Sequence, residues 1–258
     1  MNRALEKKLL PLKYAWKWLL DIEFPIALKD SHIEDHSILS AFPFVVLPIS
    51  IVVYAIYSSF LILPGGIVGL ILAGVVIAIV LEVITSWQGI NLLYSVLSKK
   101  INKEPWVNSV FGADNKVVEL KEPKSKIIYY SIFFMKLLLV IGLVYTKHPA
   151  WIVFAVLMNF YLKANLLTAT DLVENKEFLV SDFTTSRNLI LYTGVIGLLF
   201  ASNLLPVAFL ILISLFYFAP RLKEFCETNI GGLTEKVITL CAYLVEILVL
   251  LIGLAFFQ

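Results

Sequence analysis

Long apolar runs, separated by short polar turns and a few longer charged stretches, dominate this chain. Residues 40–62, 67–97, 127–146, 150–169, 188–202, 205–218 and 237–257 are each largely apolar. A helix needs about 20 consecutive apolar residues to cross a bilayer core. The pattern therefore predicts an all-α, polytopic membrane helix bundle of about seven transmembrane helices. Residues 63–66, Leu-Pro-Gly-Gly, leave room only for a hairpin between the first two spans. The fifth and sixth runs share the 31 residues 188–218. They read either as two short spans, held inside the bundle or thinning the bilayer, or as one long helix kinked at Pro206. At the N-terminus, Leu5, Leu9, Leu12, Trp16 and Leu19 recur at helical spacing while Lys7, Lys8, Lys13 and Lys17 stay off that stripe. This predicts an amphipathic helix lying in the headgroup layer, bent or restarted at Pro11. It lacks the continuous apolar core and small-residue cleavage site of a signal peptide. Two parts follow: an interfacial segment at 1–36 and a transmembrane helical domain at 37–258.

Composition agrees with this reading. The 258 residues are 60% hydrophobic and 16% charged, whereas a soluble domain is about half apolar and a quarter charged. A net charge of +2 gives no basis for a nucleic-acid partner; the partner expected first is the lipid bilayer. Cys226 and Cys241 form neither a metal-ligand spacing nor a disulfide framework and read as free thiols. His32 and His36 are four apart and could share a helical face, but zinc takes more ligands than two. Lys and Arg number six in the N-terminal segment, seven in 98–126, two in 170–187 and three in 219–236, while the alternate connections hold only Lys147. The positive-inside rule then puts the N-terminus and the long loops in the cytoplasm and the C-terminus outside, which requires an odd number of spans.

The informative residues are the polar ones inside apolar runs: Glu82, Gln88 and Asn91 in the second, Lys136 in the third, Asn159, Lys163 and Asn165 in the fourth, and Glu246 in the last. An ionised side chain at mid-membrane costs about 2.5–3.5 kcal/mol on insertion scales, so each is expected to face the bundle and find a partner. Two readings stand side by side. One is an interhelical clamp, Glu246 with Lys163 or Glu82 with Lys136, serving packing alone. The other is a polar cavity open to the cytoplasm.

Residues 229–246, "NIGGLTEKVITLCAYLVE", add a second line of argument. A Gly231-Gly232 turn leads through Thr234 into a helix carrying a late acid, Glu246. This resembles the C-terminus of the cobalamin synthase family, where a G-G-x-T-G-D turn opens a helix ending in acidic residues. Glu235 and Lys236 stand in place of the family's Gly-Asp, and Tyr243 replaces an earlier helix Glu. Three further stretches line up in order. "AFPFVVLPISIVV" (41–53) resembles the family's first span. "ELKEPKSKIIYYSIFFMKLL" (119–138) resembles the M-K/R-D-S-R-x-G segment entering its third span, with Lys121, Glu122 and Lys124 at or near its basic, acidic and basic places. "FLVSDFTTSRN" (178–188) resembles the loop before its fifth span. The resemblance implies a polytopic membrane fold and a transferase joining α-ribazole 5′-phosphate to adenosylcobinamide-GDP with Mg2+.

The chain departs from that family where the chemistry resides. The family's L-D-G-L-A-D-T-x-D-G signature supplies carboxylates to the metal, because magnesium demands hard anionic oxygens and neutralises charge during phosphoryl transfer. The matching stretch is "SWQGINLLYSVLS" (86–98): Gly89 remains, but Gln88, Leu92 and Ser95 replace the aspartates. Glu82 precedes Gln88 by six residues, about 1.7 helical turns, and does not substitute for them directly. The resemblance thus implies a divergent, catalytically silent homologue, acting as a membrane subunit or ligand-binding scaffold. On this reading no catalytic residue, metal ligand or cofactor is assigned. The substrate-binding candidates are Lys121, Glu122, Lys124, Gln88, Asn91, Lys163, Gly231, Gly232, Thr234 and Glu246. Candidate partners are other membrane proteins, a second copy of the chain, and a corrinoid or phosphate-bearing ligand. The alternative is an active transferase using Mg2+, with Lys121, Lys124 and Lys163 on phosphates and Glu122 or Glu82 as remaining acids. A small-solute transporter is disfavoured because the two halves show no inverted repeat.

Overall fold

A computed structural model describes residues 3–20, 23, 25, 35–62, 66–85, 87–101, 123–168, 183–230 and 233–257. Among the described residues the chain is helical, without strands. In chain order the helices are α1 (Arg3–Leu20), α2 (Asp35–Ala41), α3 (Val46–Leu61, entered through a 3-10 turn at Phe42–Val45), α4 (Ile67–Ile84) and α5 (Gln88–Ile101). Then come α6 (Pro123–Tyr145), α7 (Pro149–Thr168), α8 (Phe183–Phe200), α9 (Leu205–Ile230) and α10 (Glu235–Phe256). Five helical stretches, Ile38–Leu61, Ile67–Ile84, Pro149–Leu167, Ser202–Cys226 and Glu235–Phe256, are long and apolar enough to cross a membrane. Shorter apolar helices lie at Tyr129–Tyr145 and Arg187–Phe200. The architecture fits an integral membrane helix bundle. At 1.5 Å per residue the two shorter stretches reach only about 21–26 Å, below the ~30 Å bilayer core.

Burial ranks the helices. In α7, 94% of the most apolar window is buried, against 17% in Ser202–Cys226. α7 is therefore the central post, and α9 stands at the edge. A helix that is apolar all round belongs in an interior, and every residue of α7 from Trp151 to Leu167 is buried. α10 lies along it most extensively, with α8, α3 and α9 on its other sides, while α4 and α6 form a second close pair. Gly253 lets α10 approach α7: a Cβ there would overlap the Trp151 indole. The indole Nε1 in turn donates to the Val249 carbonyl, at 2.7 Å. On the outside, Phe209, Leu210 and Tyr217 of α9 and Phe134 and Leu138 of α6 are exposed apolar side chains. Such faces suit lipid tails rather than water.

Several expectations change. The segment predicted as one span, 67–97, forms two helices, the first ending at Ile84 and the second starting at Gln88. Thr85 Oγ1 donates to the carbonyls of Leu81, at 3.1 Å, and Glu82, at 3.3 Å, a local bonding habit that competes with helix continuation. Trp87 then takes φ 58°, a left-handed conformation no α-helix contains. Residues 188–218 form two helices separated by a 3-10 turn at Ser202–Leu204, with Pro206 in the first turn of α9, where its missing N–H costs nothing. The kinked single helix is thus excluded. α9 also runs past its predicted end at 218, through Pro220 to Ile230, and Cys226, beyond the proline, is buried. α1 is continuous through Pro11, and it packs on α2 and the 3-10 turn. Leu10, Ala15, Leu19 and Leu20 are buried there, and Trp18 meets Phe42 with ring centroids 5.3 Å apart. Its inner face is thus covered by protein.

Candidate functional site

The interior ions converge. Glu82, one turn before the break that ends α4, faces Lys136 from the middle of α6, with Nζ 2.5 Å from Oε1. The same ammonium is 2.8 Å from Glu246 Oε1 on α10. Asn159 of α7 donates through Nδ2 to Glu246 Oε2, at 2.7 Å. The Tyr243 hydroxyl, one turn before Glu246, donates to Glu82 Oε1 at 3.3 Å. The Lys136 ammonium also lies 4.8 Å from the centroid of the Tyr243 ring, within cation–π range. Lys136 is 2% exposed, Glu82 1% and Glu246 3%. Four helices, α4, α6, α7 and α10, are thereby tied through one desolvated knot of charge.

Local structure explains the convergence. The break after α4 lets Trp87 N–H reach back to the Glu82 carbonyl, at 3.0 Å, and the Trp87 ring packs against Phe133 of α6, centroids 5.5 Å apart. α5 then runs beside α6 and α10. Gly89 meets α10 so closely that a Cβ would overlap the Tyr243 ring. Tyr243 thus closes the crevice between α5 and α10 with its ring and ties Glu82 with its hydroxyl. The ammonium of Lys136 stands between two carboxylates, the position a bound cation would otherwise take. Within the knot, Glu82 Oε2 and Asn159 Oδ1 find no hydrogen-bond donor among the described residues.

Of the clamps read from sequence, Glu82–Lys136 forms. Glu246 pairs with Lys136, and the Glu246–Lys163 contact does not form. Lys163 is buried at 4% exposure on α7, with its Nζ 6.0 Å from the centroid of the Trp18 ring. Of the binding candidates, Gln88 is half-buried and Asn91 exposed at the start of α5; neither contacts the cluster. Thr234 is the N-cap of α10, accepting from the Val237 N–H at 3.4 Å. Lys121, Glu122, Gly231 and Gly232 lie outside the described residues. Lys124 lies within α6, its side chain outside them. Sequence reasoning found Lys136 and Asn159 as polar residues in spans but did not assign them to a site with Glu246. It noted Tyr243 only as a departure from a pattern. The available signal was that three interior ions on three different helices leave one lysine for two acids if Lys163 is set aside. Among the described residues no three His, Cys, Asp or Glu side chains gather as a metal-binding group. Neither protein-family models, curated proteins nor solved structures give a match to this chain.

Proposed function

We propose that this chain is a cobalamin synthase-like integral membrane protein of seven spans that serves as a scaffold or membrane subunit and has no transferase chemistry. In this reading α3, α4, α6, α7, α8, α9 and α10 cross the bilayer. The basic N-terminal segment and the long loops are cytoplasmic, as the charge distribution favours. The observation that carries the reading is the placement of Lys136 between Glu82 and Glu246. Both bundle acids are engaged by one internal cation, which lowers the negative charge of the pair, so neither is left free to join an anionic cage that would concentrate magnesium around a diphosphate. Tyr243 against Gly89 adds to this, because it fills the crevice beside the worn acidic motif. Magnesium would therefore be met by Gln88 and Asn91 alone on α5, two neutral oxygens, and these do not fit a resident divalent site.

The direct test supplies the purified protein in lipid with adenosylcobinamide-GDP, α-ribazole 5′-phosphate and magnesium, and reads joined product by mass spectrometry. The expected result is none. Product at ordinary turnover, abolished by chelator, sinks the scaffold reading and restores the transferase.

A further inference from the structure

The helix that the sequence predicts as one span is broken, and the break lies inside the bundle. α4 ends at Ile84 and α5 starts at Gln88. Gly89, one residue into α5, packs against Tyr243, well inside α10 (Glu235–Phe256). Between the two helices Trp87 holds φ 58°, a strained conformation for so bulky a side chain. At membrane depth such irregular backbone is tolerated where protein buries it, and broken helices there turn carbonyl-bearing ends toward small cations. A helix C-terminus already carries partial negative charge. Glu82 adds a carboxylate in the last turn of α4.

The oxygens gathered there are not all used. Lys136 and the Tyr243 hydroxyl both engage Oε1 of Glu82. Oε2 of the same carboxylate, on a residue 1% exposed, meets no donor among the described residues. At the far end of the same chain of contacts, Asn159 gives its Nδ2 to Glu246 and leaves its own buried Oδ1 without one. Lys163 does not serve them, because its ammonium lies over the Trp18 ring and pairs with neither acid. A buried carboxylate oxygen left unpaired is costly. One proton would satisfy one oxygen, whereas a metal ion takes several oxygens at once. Beside the Lys136 ammonium a single positive charge is repelled half as strongly as a double one. We propose that Glu82 Oε2 and the broken end of α4, with Asn159 Oδ1 as the other open oxygen of the knot, form a binding site for a small monovalent metal ion of the sodium class. The ion sits beside Lys136, not in its place. This goes beyond the scaffold reading and needs only that the chain is a membrane bundle.

The test uses the full chain in lipid nanodiscs, with sodium chloride exchanged against choline chloride at constant ionic strength. Equilibrium dialysis with radioactive sodium counts bound ions, and thermal unfolding in parallel reads their effect on stability. The wild type should bind one saturable equivalent of sodium and unfold at a higher temperature in sodium than in choline. Glu82→Gln keeps the shape and removes the anionic oxygen. It should bind about tenfold or more weakly, the loss of one charge-assisted contact, and lose the sodium-dependent shift. Glu224→Gln, at an exposed carboxylate of α9, should behave as wild type. Glu82→Asp, the second variant should the amide fail to fold, withdraws the oxygens by one methylene and should also bind more weakly. No sodium-specific uptake by the wild type, or uptake unchanged in the Glu82 variants that fold, overturns the site. So does a protonated-carboxyl band in the infrared spectrum of the wild type in saturating sodium that Glu82→Gln removes, since the oxygen would then hold a proton in place of a metal ion. The transferase assay reads a different property, so the two readings fall separately.

Discussion

Replacing Lys136 by methionine is the sharpest perturbation of this fold. The change keeps the length of the side chain and removes the single cation shared by Glu82, at 2.5 Å, and Glu246, at 2.8 Å. Two carboxylates then remain in a dry interior, each with one neutral donor, Tyr243 or Asn159. Breaking one buried ion pair by removing a partner costs about 3–5 kcal/mol, and here one deletion breaks two. At about 2–4 °C per kcal/mol for a chain of this size, the midpoint should fall by at least roughly 6–20 °C. Cys226 is buried and Cys241 half-buried, so a thiol-reactive fluorogenic dye reports unfolding without added labels. The triple variant Lys136→Met, Glu82→Gln, Glu246→Gln should recover most of the loss, because amides keep the hydrogen bonds from Asn159 and Tyr243 while removing the charge. A Lys136→Met midpoint within about 2 °C of wild type would show that the shared cation contributes little. A triple variant no more stable than the single one would refute the reasoning.

Other outcomes follow from individual residues. Lys147 closes α6 in a left-handed conformation, φ 64°, which costs a non-glycine residue about 1–2 kcal/mol. Lys147→Gly should therefore raise the unfolding midpoint by a few degrees. Gly89→Ala should destabilise by about 1–3 kcal/mol through overpacking, and Tyr243→Leu in the same chain should relieve part of that cost. His148, in the α6–α7 turn, stacks on Phe257 with centroids 3.6 Å apart, and burial lowers its pKa from the usual 6.5. The unfolded chain thus binds the proton more readily. Stability is fully present above pH 6.5 and declines as pH falls below it; midpoints at pH 8 and 5.5 should differ less in His148→Phe. In a cysteine-free background, Lys147→Cys should label only from outside and Glu235→Cys only from the cytoplasm. The reverse pattern would invert the proposed orientation.

The membrane bundle was legible because apolar runs of spanning length have few other uses, and the interior ions were legible because charge stands out in such runs. Which ions meet was only half legible. Glu82 and Lys136 pair as read, but Glu246 takes Lys136 in place of Lys163, since helix rotation and depth are set by packing. The close approach of α10 and α7 at Gly253 and Trp151 is one such determinant, and it leaves no trace in a charge pattern. The break after Ile84 was hidden because apolar residues lie on both sides of it, Val83 and Ile84 before and Trp87, Ile90, Leu92 and Leu93 after, and the left-handed position at Trp87 is filled by tryptophan, where glycine is the usual signal. The extension of α9 was hidden by Pro220, a helix breaker by propensity that the helix nevertheless passes through. Tyr243 was legible as a substitution; that its ring presses on Gly89 and its hydroxyl holds Glu82 needed the register between α5 and α10.

With Lys136 between Glu82 and Glu246, the bundle's acids should hold no resident divalent cation, and a manganese titration followed by electron paramagnetic resonance measures this. Manganese takes the same oxygen ligands as magnesium, and its free-ion signal falls as it binds. The account predicts only weak, non-saturating uptake by the wild type in lipid, unchanged in Glu82→Gln and in Glu246→Gln. One saturable equivalent bound by the wild type, and lost in either variant, would contradict it.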